Sequence, residues 1–327
     1  MLEAHASGKI ILCGEHAVVY ARPAIALPLS DVRAYVTVQP AQPAASGITF
    51  HAPDLGQTWT LDDNPEHPLS ELTRHTLAEL GVERTPTLRL QITSSIPIAS
   101  GLGSGAAIAT AIVRALSAHM GRSLTNQAIS ALVYASERRF HGTPSGIDNT
   151  VVAFEQPIWF CRPSAAQLAT TQDARPTIEP IQIAAPFTLL IGDTGIRSAT
   201  HLPVGDVRKR WQADPAHYEA LFDQVDALVT QARQALASGA IDTLGGLLNQ
   251  NHTVLQQIGV SSPELDRLVE AARAAGALGA KLSGGGWGGI MIALVEPHTR
   301  ERVAEALRAA NAANVLETTV APYSHAE

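Results

Sequence analysis

The run PIASGLGSGAA at residues 97–107 constrains this chain more than any other stretch. Gly101, Gly103 and Gly105 alternate with Leu102 and Ser104, and Pro97 and Ser100 lead into them. Glycine takes positive φ at low cost and lets the backbone approach a ligand with no Cβ in between. From Ala106 to Met120, the residues Ile108, Ile112, Leu116 and Met120 recur at the spacing of one helical face. A glycine loop that opens a helix presents unpaired amides and the positive end of the helix dipole. That arrangement suits a phosphate group. A tight turn before a buried helix uses the same residues, so the loop alone leaves both possibilities open.

The surroundings narrow the class of loop. Gly101, Gly103 and Ala106 fit the G-x-G-x-x-G/A dinucleotide pattern in spelling. That pattern should follow a strand directly and meet an acidic residue about 20 positions later. Here Ile96 to Ser100 intervene after the strand-like Leu88–Ile92, and a second helical stretch begins near Thr125. No G-x-x-x-x-G-K-[ST] run occurs. A dinucleotide-dependent oxidoreductase is therefore disfavoured.

Composition excludes other classes. With 23 Lys+Arg against 30 Asp+Glu, the formal net charge is −7 and no basic block exists, which argues against nucleic acid or an anionic membrane as partner. No apolar run reaches the length of a membrane span, and the N-terminal residues lack a leader pattern, so a cytoplasmic protein is expected. Cys13 and Cys161 sit among apolar residues and are expected as free buried thiols. At 327 residues two domains are expected, divided at 175/176 inside the Pro-rich stretch 162–186.

Periodicity predicts strands over 9–13, 24–29, 33–38, 88–92, 187–191, 290–295 and 315–321. It predicts helices over 68–81, 106–120, 126–140, 216–236, 242–258, 263–275 and 300–311, with a loop over 39–46. Thr125 is a cap for the third of these helices and Gly142 its end. The last glycine run is expected to connect a helix ending near Gly279 to the strand at 290. Strands and helices alternating in this way point to an α+β fold.

Four stretches together carry a family resemblance: GKIILCGEHAVVY at 8–20, PIASGLGSGAA at 97–107, HGTPSGIDNTV at 141–151 and KLSGGGWGG at 281–289. In order and spacing they resemble the GHMP kinase superfamily, and within it the mevalonate kinases, over nearly the whole chain. The resemblance implies an N-terminal α/β domain with a left-handed β-α-β unit, a C-terminal ferredoxin-like domain, and ATP and substrate meeting in the cleft between them. It also implies ATP and mevalonate as substrates, Mg2+ as cofactor, phosphorylation of the 5-hydroxyl, and no nucleic-acid or membrane partner. A homodimer is compatible with it.

The residues separate by chemistry. Lys9 opens the first strand; a solvated strand-end lysine is the plain alternative to a cation that stabilises charge on the transferred phosphoryl group. Glu15 and His16 lie in the turn after that strand, and H-E-x-x-H zinc spacing is missing. In similar proteins this segment contacts mevalonate, with His16 as a donor to a carboxylate or hydroxyl. Glu137 near a helix end opposes the helix dipole, so either a nearby Arg pairs with it or it works elsewhere. The resemblance makes it a magnesium ligand with Ser104. Asp148 follows the turn signal Pro144-Ser145-Gly146; it either bonds turn backbone or, as the resemblance implies, takes the proton of the substrate hydroxyl. Lys9 and Asp148 are then expected to form an ion pair. The resemblance assigns Pro97, Ser100, Gly101, Leu102, Gly103, Ser104, Gly105 and Ala106 to the ATP phosphates. It assigns Lys9, Glu15, His16, Asp148 and Thr200 to the substrate, and Gly284, Gly285 and Gly286 to an active-site loop.

Two positions depart from the family pattern. Gly105 stands where a second serine, commonly a metal-side ligand, is usual, and Trp287 stands where glycine is usual. Phosphomevalonate kinase, a mevalonate 3-kinase and a non-catalytic binding member of the fold remain as alternatives.

Overall fold

Val32, Ala34, Val36 and Val38 alternate with less buried neighbours and line the covered face of one long strand. In the computed structural model, which describes residues 2–40, 47–97, 100–141, 145–171 and 174–322, β1 covers Leu2–Cys13 and β2 covers Ala24–Pro40. The sequence predicts two strands, 24–29 and 33–38, in place of β2, with the polar Ser30 and Asp31 between them. Both are exposed, yet the strand runs through them.

The chain forms two units, residues 1–9, 28–98 and 102–155 in the first and 10–27, 99–101 and 156–327 in the second. The division expected at 175/176 does not coincide with them. β1 and β2 each belong partly to one unit and partly to the other, a feature that no local shift in composition records.

In the first unit, β3 (Ile48–Ala52) and β4 (Gln57–Thr60) form a short antiparallel hairpin that the sequence did not predict. After α1 (Pro68–Glu79), β5 (Leu88–Ser94) lies parallel to β3, with Leu88 opposite Ile48, and antiparallel to β2. The stretch from β3 through α1 to β5 is thus a β-α-β crossover. Helices α2 (Ser104–His119), α3 (Asn126–His141) and α4 (Ile147–Phe154) follow. Ala107, Ala111, Ile112, Ala115 and Leu116 make the fully buried face of α2. Thr125 Oγ1 accepts from Ala128 N at 3.2 Å and caps α3 as predicted. The expected helix end Gly142, with Thr143 and Pro144, lies outside the described residues, as do Ile98 and Ala99 of the first glycine loop. Glu155, at φ 49, closes α4. Its carboxylate accepts from Ser7 N at 3.1 Å and pairs with Arg114 at 3.0 Å, tying that helix to β1 and α2.

In the second unit, β6 (Ile158–Cys161) pairs with Ala24–Ala26 of β2. The stretch expected as a connection contains α5 (Ala165–Thr170), started by a Ser164–Gln167 capping box, and β7 (Thr177–Pro180), which pairs with β6. Beyond them come β8 (Phe187–Asp193), α6 (His201–Ala213), α7 (Pro215–Ser238), α8 (Ile241–Ile258) and α9 (Pro263–Ala274). Then follow β9 (Gly279–Ser283), β10 (Ile290–Val295), α10 (Arg300–Ala309) and β11 (Asn314–Val320). Helix α6 buries only Pro203 and Val207, which explains why periodicity did not reveal it. The sheet order β11-β8-β10-β9 is antiparallel throughout. Numbered within this sheet it is 4-1-3-2, the ferredoxin-like order that the resemblance implies.

The expected helix ending near Gly279 is corrected: α9 stops at Ala274 and Gly279–Ser283 is a fully buried strand. Its position depends on glycine. A Cβ at Gly245 of α8 would lie 2.6 Å from Leu278 O, and one at Gly279 would run into the Gly245 backbone. A Cβ at the adjacent Gly246 would meet nothing within 4 Å. The two neighbours should therefore respond with opposite sign. Gly246→Ala gains helix propensity and should stabilise by about 0.5–1 kcal/mol. Gly245→Ala gains the same propensity but forces strand and helix apart, so it should destabilise by about 1–2 kcal/mol net. Denaturant melts of the two variants check this; equal shifts would mean that β9 does not depend on the close approach.

Candidate active site

In the first unit the chemistry collects around Lys9, which is 4% exposed. Its backbone N–H donates to Leu102 O at 2.9 Å, so β1 is bonded to the glycine loop at this residue. Gly103, at φ +77, lies directly on the lysine stem: a Cβ there would be 2.7 Å from Lys9 Cγ. Any side chain at 103 would displace either the loop or the lysine. Gly103 is also the residue before α2 and has no side chain with which to cap that helix, whose first-turn residues are Ser104, Gly105 and Ala106. Helix geometry leaves their amides without intrahelical partners.

Lys9 Nζ reaches Asp148 Oδ2 at 2.9 Å. Asp148 stands in the first turn of α4, after Gly146 at φ 89, where a carboxylate suits the helix dipole. The next two side chains lock that turn. Asn149 Nδ2 donates to Ser130 O at 3.0 Å and to Ser130 Oγ at 2.8 Å, and Thr150 Oγ1 donates to Gly146 O at 2.6 Å. Ser130 lies on α3, the helix that also carries Glu137.

Glu137 is buried, and burial pushes its carboxyl up to about 7; the charge of Asp148 adds to this and Lys9 opposes it. A Cβ at Gly105 would sit 3.2 Å from Glu137 Oε1. The departure at 105 thus leaves exposed backbone, rather than a second hydroxyl, beside this carboxylate. Among the described residues no cluster of three or more His, Cys, Asp or Glu could hold a metal unaided. The donor set still fits magnesium, a hard cation that takes one or two carboxylates and fills its shell with water and phosphate oxygens. Glu137, with the Ser104 hydroxyl, offers oxygen donors at the start of the helix.

The second unit holds the other expected residues. Glu15 is 1% exposed and its carboxylate is bound by Lys281 of β9, itself fully buried. Burial pushes the Glu15 carboxyl up, against the pull of the Lys281 ammonium. Cys13 lies in the same interior, and burial pushes its thiol up to about 12, which makes it inert. His16 takes φ 61, and its Nε2 meets Gly285 O at 2.9 Å. Burial lowers its imidazole to about 4, so the ring is neutral at pH 7. A carbonyl oxygen only accepts; Nε2 therefore carries the proton, and Nδ1 is left as an acceptor. This differs from the donor role expected for His16.

Thr200, just before α6, touches the same loop: a Cβ at Gly285 would lie 3.2 Å from Thr200 Cγ2. Gly284 and Gly286 take φ +96 and +81, and at Gly289 a Cβ would come within 3.6 Å of Ser100 O. Ser100 and Gly101 belong to this second unit, whereas Pro97 and Leu102 to Ala106 belong to the first. Trp287, at φ 56, is anchored by its backbone N–H to Val260 O at 2.9 Å and by its indole N–H to Gly259 O at 3.0 Å.

Three participants escaped the sequence. Asn149 and Ser130 form a contact across 19 positions that no local pattern carries. Lys281 stands inside a quoted motif, and its one signal was a charge between the apolar Ala280 and Leu282.

Comparison with known proteins fits this geometry. The family description "GHMP kinases N terminal domain" matches residues 69–156, and "GHMP kinases C terminal" matches residues 232–313. The mevalonate kinase of Pyrococcus horikoshii is 34% identical over 94% of this chain and 92% of its own length. That of Pyrococcus furiosus is 32% identical with the same coverage of each chain. The crystal structure of L. major mevalonate kinase in complex with R-mevalonate is 30% identical, covers 99% of this chain and 97% of its own, and superposes with a TM-score of 0.82. The chain belongs to the GHMP kinases, and within them to the mevalonate kinases.

Proposed function

We propose that this protein transfers the γ-phosphoryl group of ATP to the 5-hydroxyl of mevalonate, giving 5-phosphomevalonate and ADP. The observation that carries the proposal is the ion pair of buried Lys9 with partly exposed Asp148, beneath a glycine loop that opens a helix. The relatives named mevalonate kinase support the choice of substrate.

Asp148 accepts the proton of the attacking hydroxyl, whose oxygen forms the new bond to phosphorus as the bond to the ADP oxygen breaks. The carboxylate is 34% exposed, so a substrate hydroxyl can reach it without unfolding α4. Lys9 holds that carboxylate and places a fixed positive charge where negative charge develops. The α2 N-terminus, from Gly103 to Ala106, receives phosphate oxygens on its amides. Glu137 and Ser104 would hold Mg2+, which would supply positive charge to offset the charge on the phosphates during transfer. Positioning and charge supply most of the catalysis in such a transfer. On the substrate side, His16 Nδ1 accepts from a substrate hydroxyl, with Thr200 and the loop Gly284–Gly286 beside it. We place the enzyme in the cytoplasm, on the support of its free cysteines and an acidic net charge without basic blocks.

The proposal is tested by giving the purified protein Mg-ATP with mevalonate, phosphomevalonate, homoserine or galactose and identifying the product by mass. Mevalonate alone should gain a phosphate, at its 5-oxygen; preference for another acceptor would replace the proposal. Asp148→Asn should lower turnover by about 10²–10⁴ with ATP affinity little changed. Parent-like turnover would remove the base role.

Glu137→Gln has two readouts. The magnesium concentration for half-maximal rate should rise, since a charged oxygen ligand is lost. The pH dependence of stability should also change. Folded Glu137 keeps its proton up to about pH 7, whereas an unfolded glutamate releases it at about 4.3. Between these values unfolding releases a proton, so stability falls as pH rises through the window. Its contribution is up to about 4 kcal/mol at roughly 1.4 kcal/mol per pH unit. Melts from pH 4.5 to 7.5 should show this slope in the parent and a flatter one in Glu137→Gln. An unchanged magnesium titration would return Glu137 to a purely structural role.

A further inference from the structure

Lys281 carries a fully buried charge in the second unit, with its side chain 0% exposed. Its ammonium binds the Glu15 carboxylate and donates to Leu282 O at 2.6 Å. Replacing a buried ion pair by apolar side chains of similar volume often costs nothing, so stability alone is a weak reason for such a pair. What it touches gives a better one. Glu15 is the centre of the Gly14-Glu15-His16 turn, whose flanking residues take φ +108 and φ 61. A non-glycine residue at φ 61 is strained and persists only where its surroundings over-determine it.

The determinants come from β9 and the loop after it. Ser283 Oγ accepts from Ile11 N at 3.2 Å and donates to Ile11 O at 2.8 Å. Two residues back, Lys281 takes Glu15. Two residues on, Gly285 O takes the His16 N–H. β9 itself is fixed from behind. Leu282 N donates to His252 Nδ1 at 3.3 Å, and His252 Nε2 donates to Asp266 Oδ1 at 3.1 Å. The turn is thus held at alternate points along one immobilised segment, and the ion pair is the central point.

We propose that Lys281 is a positioning residue for the phosphoryl acceptor: by holding Glu15 it fixes the strained turn in which His16 spends its N–H on Gly285 and keeps Nδ1 as an acceptor. This rests on the proposal above that His16 meets mevalonate. On this account Glu15 serves the substrate through His16.

The test replaces the pair with neutral side chains, so that no lone charge is left buried. Two versions, E15Q/K281M and E15L/K281M, guard against a folding failure in either, and thermal melts identify the folded one. The first readout needs no substrate. The full-length protein is treated with diethyl pyrocarbonate at pH 7, and acylation of the His16 peptide is followed by mass spectrometry. His16 is 5% exposed in the parent and should react slowly. In the folded double variant it should react roughly ten times faster or more as the turn relaxes. The second readout is kinetic. The KM for mevalonate should rise roughly ten- to a hundredfold, the cost of misplacing a group by about 1 Å, while the KM for ATP stays within about twofold. Parent-like acylation of His16, or a parent-like KM for mevalonate, in a folded double variant would overturn the proposal. If the parent does not phosphorylate mevalonate but His16 acylation still rises, the substrate assignment fails and the positioning role stands.

Discussion

The ammonium of Lys9 is withdrawn from water, and the first unit is arranged to make that tolerable. A buried charge without a partner is costly, so it must be paired and hydrogen-bonded. Asp148 supplies the partner from the first turn of α4. That turn stays in place because Asn149 and Thr150 bind it to α3 and to its own start. The other end of α4 stays in place because Glu155 bridges to Ser7 and Arg114. The loop that covers the lysine stem can do so only with glycine at 103. One desolvated cation thus accounts for the glycine, the short helix and the polar contacts that hold it.

Each unit carries a buried lysine paired with a carboxylate, and the exposure of the carboxylate separates their roles. Asp148 keeps 34% of its side-chain surface open, so the Lys9 pair can be reached by a ligand. Glu15 and Lys281 keep 1% and 0%, so that pair cannot be reached and acts through its neighbours. The same chemical unit therefore works as reacting groups in one place and as a brace in the other. The departures from the family pattern also gain physical content. Gly105 removes a hydroxyl beside Glu137 and leaves backbone there, and Trp287 is anchored to the end of α8 rather than free to swing.

Much of this was legible in the residues, for identifiable reasons. The strongly periodic α7 and α8 and the apolar β10 declared themselves because their burial is one-sided or complete. Glycine spacing marked the loop before α2, since only glycine meets its positive φ values. The resemblance brought Lys9, Glu137 and Asp148 forward together, and the structure places all three in one unit. What stayed hidden was long-range. Polar, exposed Ser30 and Asp31 interrupt the apolar pattern although one strand runs through them, and β9 looks like loop because glycines follow it closely. The interleaving of the units, the Asn149–Ser130 contact and the Lys281–Glu15 pair all join residues far apart in the chain. The proton on His16 Nε2 was equally unreadable, because it is set by a carbonyl 269 residues away.

A double-mutant cycle on turnover, with Lys9→Met and Asp148→Asn made singly and together, tests the central claim most directly. Groups that act as one unit give grossly non-additive losses. If Lys9 and Asp148 work as a pair, each single variant should lose about 10²–10⁴ in kcat/KM. The double variant should then be hardly slower than the worse single, with all three still folded by thermal melting. Losses that multiply in the double variant, or a folded Lys9→Met that turns over like the parent, would contradict the account.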